Sequence, residues 1–242
     1  MINVVIPLVG TSQFFDDVQY KYPKPLIEIN GATMIELFLK NFKKMRKKVH
    51  FIFILNEDDC RRFHLDNILN ILTSNNCDII KIGAPTKGAA CSVLMAVDLI
   101  DNGNPLIISN ADQYFDIPLE EAISCLESSD AGVIIFDSIH PRWAYVKLNN
   151  KKNIVETAEK NPISNHAVAG FYYFTEGKSF VRAAMSMVKK DASVNGMYYI
   201  SPVFNELILE NKKLGVYPIE KSKYHTFYNP QKIKDYERLN DY

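Results

Sequence analysis

The sequence predicts an α/β fold, a doubly wound and mostly parallel sheet followed by a smaller β-rich portion. Three observations predict it. Short runs such as "INVVIPL" and "VHFIFIL" are apolar at nearly every position, as strands covered on both faces are. Segments of helical spacing separate these runs as far as residue 137, so β and α alternate. After about residue 140, alternating stretches joined by "NNKKN" read as hairpin-type pairing.

The elements follow in order. "INVVIPL" is a buried parallel strand. Thr33 caps a helix read as "MIELFLKNFKKMR", with Ile35, Phe38, Leu39 and Phe42 on one face. "VHFIFIL" is the second strand, "NEDDCRRF" and "LDNILNILTS" are helical, and "CDIIKIG" is the third strand. "GAACSVLMAVDLI" is a helix opened by small residues, and "NPLIISNAD" is a fourth strand ending at Asp112. "PLEEAISCLESS" places proline in a first helical turn, and "AGVIIFD" is a fifth strand. Then come "WAYVKLN", "KNIVETAEK" and "HAVAGFYYFT" as strands, "KSFVRAAMSMVKK" and "SPVFNELILEN" as helices, "LGVYPIE" and "YHTFY" as strands, and a last helix from Pro230.

At 242 residues the chain is long enough to bury a core without staples. One domain is expected, with halves at 1–138 and 139–242. Lys plus Arg and Asp plus Glu are 28 each, which argues against a nucleic-acid partner. Cys60, Cys77, Cys91 and Cys125 form no CxxC pair, so neither structural zinc nor a disulfide framework is expected. The apolar start lacks a basic n-region and a cleavage site, and no run approaches the roughly 18 apolar residues of a membrane span. A cytoplasmic protein with no membrane partner is the expectation.

Open α/β sheets hold ligands outside the carboxyl ends of their strands. The first strand delivers Leu8, Val9, Gly10, Thr11 and Ser12 to that rim, and the fourth delivers Asp112. Gly10 permits close approach, and successive N–H groups there can cradle a phosphate. Lys24 is a point charge restrained between Pro23 and Pro25. Asp112 offers a hard oxygen for Mg²⁺, and Gly88 opens a helix against which a ribose or base can lie. Each has an ordinary structural reading as a turn, cap or surface residue. Together they describe a nucleoside triphosphate site.

The series "PLVGTSQFF…YPKPLIEINGATMIE", "TKGAACSVLMA", "PLIISNADQYFD", "HPRWAYVKL", "AEKNPISNHAVAGFYYF", "VNGMYYISPVFNELI" and "YHTFYNPQKIKDY" resembles the sugar-phosphate nucleotidyltransferases over essentially the whole chain. The resemblance implies a Rossmann-like three-layer fold, related to the GT-A glycosyltransferases, with a smaller acceptor-side β lobe. It implies a Mg²⁺-dependent enzyme that joins a nucleoside triphosphate to a phosphorylated small-molecule acceptor and releases pyrophosphate. Val9, Gly10 and Thr11 would contact the nucleotide, Lys24 its phosphates, and Lys87 and Gly88 its base and ribose. Asp112 would hold Mg²⁺. Lys160 would meet the acceptor phosphate and Glu159 an acceptor hydroxyl or amine, with Gly170, Asn195, Tyr198 and Trp143 shaping the acceptor pocket. Relatives in this branch serve capsule and surface-glycan pathways, some with CTP and non-sugar acceptors such as phosphocholine or phosphoglutamine; CTP is favoured, then GTP. The family also allows a homodimer.

The chain departs from the family pattern in four places. Ser12 replaces the loop's second glycine, the loop arginine is absent, Lys87 stands for a base-reading glutamine, and the second metal aspartate is missing. Nearest to that last position, His225 is a replacement ligand, a phosphate contact or a packed polar residue. Two alternatives follow: a degenerate, non-catalytic nucleotide-binding homologue, and a GT-A glycosyltransferase. The survival of Lys24, Asp112 and Lys160 favours the enzyme. The spacing of Asp112 and Asp116 is not the Asp-x-Asp of a glycosyltransferase.

Overall fold

In the computed structural model, the structure describes residues 1–10, 14–15 and 20–239. Thr11 and Ser12 lie outside the described residues. The first half runs β1 (Ile2–Leu8), a 3-10 turn (Lys24–Leu26), β2 (Glu28–Ile29), β3 (Ala32–Thr33), α1 (Met34–Lys40), β4 (Val49–Asn56), α2 (Glu57–Phe63), α3 (Leu65–Leu72), β5 (Cys77–Ile82), α4 (Ala89–Leu94), α5 (Val97–Ile100), β6 (Leu106–Ser109), β7 (Gln113–Phe115), α6 (Leu119–Leu126) and β8 (Ala131–Asp137). The second half runs β9 (Ala144–Leu148), β10 (Ile154–Glu159), β11 (His166–Phe174), α7 (Gly177–Lys189), α8 (Val203–Leu209), β12 (Leu214–Pro218), β13 (Tyr224–Thr226) and α9 (Pro230–Leu239).

Nine strands form the central sheet, in the order β10-β9-β11-β6-β1-β4-β5, with β8 on β11 and β12 on β8. β1 pairs in parallel with both β4 and β6, and β4 with β5. β11 lies antiparallel between β6 and β8, and it also pairs antiparallel with β9. Tracing these pairings, β1, β4, β5, β6, β8, β9 and β12 run one way and only β10 and β11 the other. The sheet is mostly parallel, as the apolar runs predict. The "AGVIIFD" strand, however, is separated from the parallel series by β11.

The continuous apolar runs have a direct physical reason. Successive residues of a strand face opposite sides of the sheet. Val5, Ile52, Ile54 and Ile108 feed one core, and Val4, Ile6, Phe51, Phe53 and Leu55 feed the other. Both faces are covered, so nearly every position is apolar; the buried Asn3 is an exception, and its Nδ2 donates to Leu99 O at 3.3 Å.

Helix α1 starts as predicted: the Thr33 hydroxyl accepts from Glu36 N at 3.4 Å, and Thr33 N donates to Glu36 Oε2 at 2.7 Å. It ends at Lys40 and not at Arg46, because the buried Asn41 is committed elsewhere. Its Nδ2 donates to Phe38 O at 2.8 Å, and its Oδ1 accepts from Phe115 N at 2.9 Å. The expected single helix over 88–100 divides into α4 and α5 around Met95–Ala96. Among the described residues, no helix is long and apolar enough to cross a membrane.

Candidate active site

β1 and β6 end side by side, and the turn from β6 into β7 places Asp112 beside the end of β1. Main-chain bonds fix that turn on both sides. Asn110 N donates to Gly170 O at 3.0 Å, and Phe227 N donates to Asp112 O at 2.8 Å. Lys24 arrives from the other side, in a turn closed by Leu26 N to Pro23 O at 2.8 Å. Its Nζ donates to Asp112 Oδ2 at 2.5 Å, with both side chains about one quarter exposed (24% and 27%). The phosphate-binding and metal-binding residues expected from the sequence are therefore neutralising each other.

Leu8, Gly10, Lys24, Asp112 and Lys160 line one cleft of about 500 Å³. Asp112 also lines an inner extension of about 160 Å³, together with Trp143, Glu159 and Gly170. Asn110, Arg142 and Tyr228 line both parts. The cleft thus has an outer part lined by Lys24, Arg142 and Lys160 and an inner part walled by rings and two carboxyls, Asp112 and Glu159.

Lys160 has left-handed backbone (φ 54°), and its N–H donates to Trp143 O at 3.0 Å. Its Nζ donates to Tyr199 Oη at 2.8 Å, 4.8 Å from the ring centroid. Gly170 sits at an irregularity in the pairing of β11 with β8, with φ +58°. A Cβ there would lie 2.5 Å from Asn110 Nδ2 and 2.8 Å from Gln113 Oε1. Its carbonyl accepts from Gln113 Nε2 at 3.0 Å. Only glycine lets β11 pass this close to the Asp112 turn.

Burial pushes the Glu159 carboxyl up to about 7, against the opposing charge of Lys160. The unfolded group titrates near 4.5, so both states are protonated at low pH and the folded state alone resists ionisation higher up. Folding stability should fall as pH rises from about 4.5 through about 7. Glu159→Gln removes this penalty, and is expected to be more stable than wild type above pH ~8 by at most about 3 kcal/mol. The advantage should vanish near pH ~4. Melting temperatures across that range test this; the same difference between the two proteins at every pH would refute it.

Several expected residues line neither part of the cleft. Val9 packs against the core. Lys87 is exposed on the loop after β5, and its carbonyl accepts from Tyr198 N at 2.7 Å. Gly88 packs against the Tyr198 main chain. Asn195 is exposed in a tight turn, with Gly196, between Val194 and Met197. Tyr198 does not wall the cleft: it is 8% exposed, and its hydroxyl donates to Asp191 Oδ1 at 2.6 Å. Its neighbour Tyr199 is the one that meets the cleft residue Lys160.

Of the three readings of His225, the geometry matches the packed polar residue. Its ring packs against Tyr114 and Tyr236, at centroid distances of 6.2 and 5.0 Å, and lines neither part of the cleft. Burial holds its pKa below the ordinary value. The next residue, Thr226, faces the inner cleft. Among the described residues, no group of three or more His, Cys, Asp or Glu could hold a metal ion. Asp112 alone still fits Mg²⁺ that arrives with a triphosphate, since that ion commonly takes one or two carboxylates and completes its shell with phosphates and water.

Sequence reasoning passed over Asn110, Arg142 and Tyr228. The one available signal was "SNAD" at a strand end and "PRW" beside an aromatic.

A bifunctional protein GlmU from Methanococcus aeolicus is 27% identical over 221 residues, 89% of this chain and 49% of that protein. The chain thus spans about half the length of that relative. A nucleoside-diphosphate-sugar pyrophosphorylase from Vibrio cholerae has the same fold (TM-score 0.85, 24% identity, 97% of this chain and 99% of that one). So does an inositol-1-phosphate CTP transferase from T. maritima (TM-score 0.73, 13% identity, 95% and 90%). The family model for nucleotidyl transferases matches residues 11–222. That range takes in Lys24, Asp112, Glu159 and Lys160 and the strands that carry them, so the chain belongs to the nucleotidyl transferase family.

Proposed function

We propose that this protein transfers a nucleotidyl group from a nucleoside triphosphate to a phosphorylated small-molecule acceptor, releasing pyrophosphate. CTP is the favoured donor and GTP the next. The observation that carries the reading is the cleft itself. Lys24 and Asp112 meet in it, Lys160 lines it with them, and an inner chamber lined by Glu159 shares Asn110, Asp112, Arg142 and Tyr228 with it. The CTP preference draws support from the T. maritima neighbour, which is described as a CTP transferase. The acceptor is a sugar 1-phosphate or a non-sugar phosphate monoester. The product is an activated precursor of the kind that capsule and surface-glycan assembly consumes.

Charge dictates the mechanism. Both reactants are anions and repel until cations hold them together. The triphosphate draws Lys24 away from Asp112, and Lys160 meets the acceptor phosphate. An acceptor phosphate oxygen attacks the α-phosphorus. The new O–P bond forms as the bond to the β-phosphate oxygen breaks, and pyrophosphate carries off the electron pair. The attacking oxygen is largely ionised near neutrality, so no residue has to remove a proton. Mg²⁺, held by Asp112 and the phosphates, would offset the charge on the phosphoryl oxygens. The chain's own residues supply positioning and fixed positive charge.

The test is pyrophosphate release with Mg²⁺, crossing four nucleoside triphosphates with sugar 1-phosphates, phosphocholine and phosphoglutamine. Release with one pair and its loss in Lys24→Ala are expected. The single carboxylate at the metal position is the observation that favours a non-catalytic nucleotide-binding protein. That reading predicts a thermal shift with nucleotide and no release with any pair.

A further inference from the structure

Arg142 has no role in the reading above, yet it lines the outer cleft, the inner chamber and a third cavity of about 420 Å³. It sits in the loop between β8 and β9, where its backbone N–H donates to His140 Nδ1 at 3.3 Å. Its guanidinium lies 3.0 Å from the centroid of the Tyr228 ring and 4.7 Å from that of Trp143. Ring contacts of this kind restrict the plane of a guanidinium and leave its N–H edge for a ligand.

Two further facts point to an anion. Arg182 pairs with Glu210 through both Nε and Nη2, but no carboxylate among the described residues pairs with Arg142. Its Nε is moreover buried without a hydrogen-bond partner. A buried donor left unmade destabilises the protein; Nε is closed to solvent, and the terminal N–H groups of the guanidinium, which no carboxylate among the described residues takes, are the ones open to an oxyanion. Asp112 shares the same walls, but its Oδ2 is occupied by Lys24.

We propose that Arg142 holds the acceptor's phosphate at the junction between the outer cleft and the inner chamber. The assignment rests on the transfer reading above. A phosphate monoester has three terminal oxygens, one of which must stay free to attack. A guanidinium fork takes two oxygens and orients the third, which the point charge of Lys160 cannot do alone. Lys24 serves the nucleotide end, whereas Arg142 alone among the cations lines both parts of the cleft.

Trp143 is the single tryptophan, and Arg142 lies over its ring, so its fluorescence reports on this contact without any need for turnover. Wild type, Arg142→Lys and Arg142→Gln would each be titrated with inorganic phosphate, glucose 1-phosphate and phosphocholine, after their melting temperatures are matched to wild type. The expected result is a saturable change in wild type whose half-saturation rises about 10- to 100-fold in Arg142→Gln. Arg142→Lys falls between, because charge is kept and the fork is lost. In the release assay the acceptor KM should rise in step, while the nucleotide KM stays within about threefold. Equal half-saturation in all three proteins, or a wild-type signal unmoved by every monoester, overturns the assignment. So does an equal rise in both KM values. Normal Arg142-dependent titrations without pyrophosphate release would instead sink the transfer reading and leave the phosphate contact standing.

Discussion

Lys24→Ala is expected to lower kcat for pyrophosphate release by about 10²- to 10³-fold or more, the usual consequence of removing one fixed positive group from a developing anionic transition state. Asp112→Asn should lose as much, because it removes the one carboxylate that lines the outer cleft. Neither change should unfold the protein. The Lys24–Asp112 pair is about a quarter exposed on each side and opens into a cleft, where an ion pair contributes roughly 0–1 kcal/mol. Melting temperatures within a few degrees of wild type are therefore expected. The pair itself makes a finer prediction. In the free protein each charge is satisfied by the other, so triphosphate must replace the lysine–carboxylate contact with lysine–phosphate contacts. Asp112→Asn, with Lys24 released, should then bind triphosphate without Mg²⁺ at least as tightly as wild type while failing to turn over. Near-normal turnover in either variant would refute the assignment, and a large fall in melting temperature would show that the pair is structural.

How much of this was legible in the sequence depended on whether the information is local. The parallel core was legible because burial on both faces forces apolar residues at nearly every position of β1 and β4. The reversed direction of β11 was not. "HAVAGFYYF" is buried almost throughout and is as continuous an apolar run as its parallel neighbours; direction is decided by which strands it joins, far away in the chain. The end of α1 was hidden for a similar reason, since Asn41 stops it by reaching Phe115. Lys24 and Asp112 were legible as charges, one restrained between prolines and one at a strand end, whereas Lys160 was legible only through the family resemblance. Which of two adjacent residues faces the cleft was not. Tyr198 and Tyr199 point opposite ways, one hydroxyl to Asp191 and the other to Lys160. His225 and Thr226 likewise alternate on a three-residue strand. A one-residue difference in parity exchanges core for site, and nothing in so short a segment fixes that parity. Arg142 was hidden because its meaning lies in what it lacks, a carboxylate partner, which only the fold can reveal.

Gly88→Ala is expected to produce the largest loss of stability among the residues of the predicted site. Gly10 and Gly88 were both read as places where a ligand could approach the backbone, and the structure separates them. Among the described residues, nothing lies within 4 Å of a Cβ built on Gly10. At Gly88, with φ +109°, a Cβ would fall 2.5 Å from Tyr198 O and 2.7 Å from Tyr198 N. These are main-chain atoms and cannot swing aside. They are also bonded in place, since Tyr198 N donates to Lys87 O at 2.7 Å and Ala90 N to Tyr198 O at 3.0 Å. Alanine must either hold a strained φ or break both bonds, at a cost on the order of 4 kcal/mol. For a chain of this length that is a fall in melting temperature of about 8–16 °C. Gly10→Ala should stay within about 0.5 kcal/mol of wild type and instead raise the nucleotide KM. The damage at Gly88 should not remain local. The segment it loosens carries Tyr199, whose hydroxyl accepts from Lys160. Below its melting temperature, Gly88→Ala should therefore weaken the acceptor KM more than the nucleotide KM. Wild-type stability in that variant would show that the contact between the loop after β5 and Tyr198 is not tight, and would return Gly88 to the role of a ligand-facing glycine.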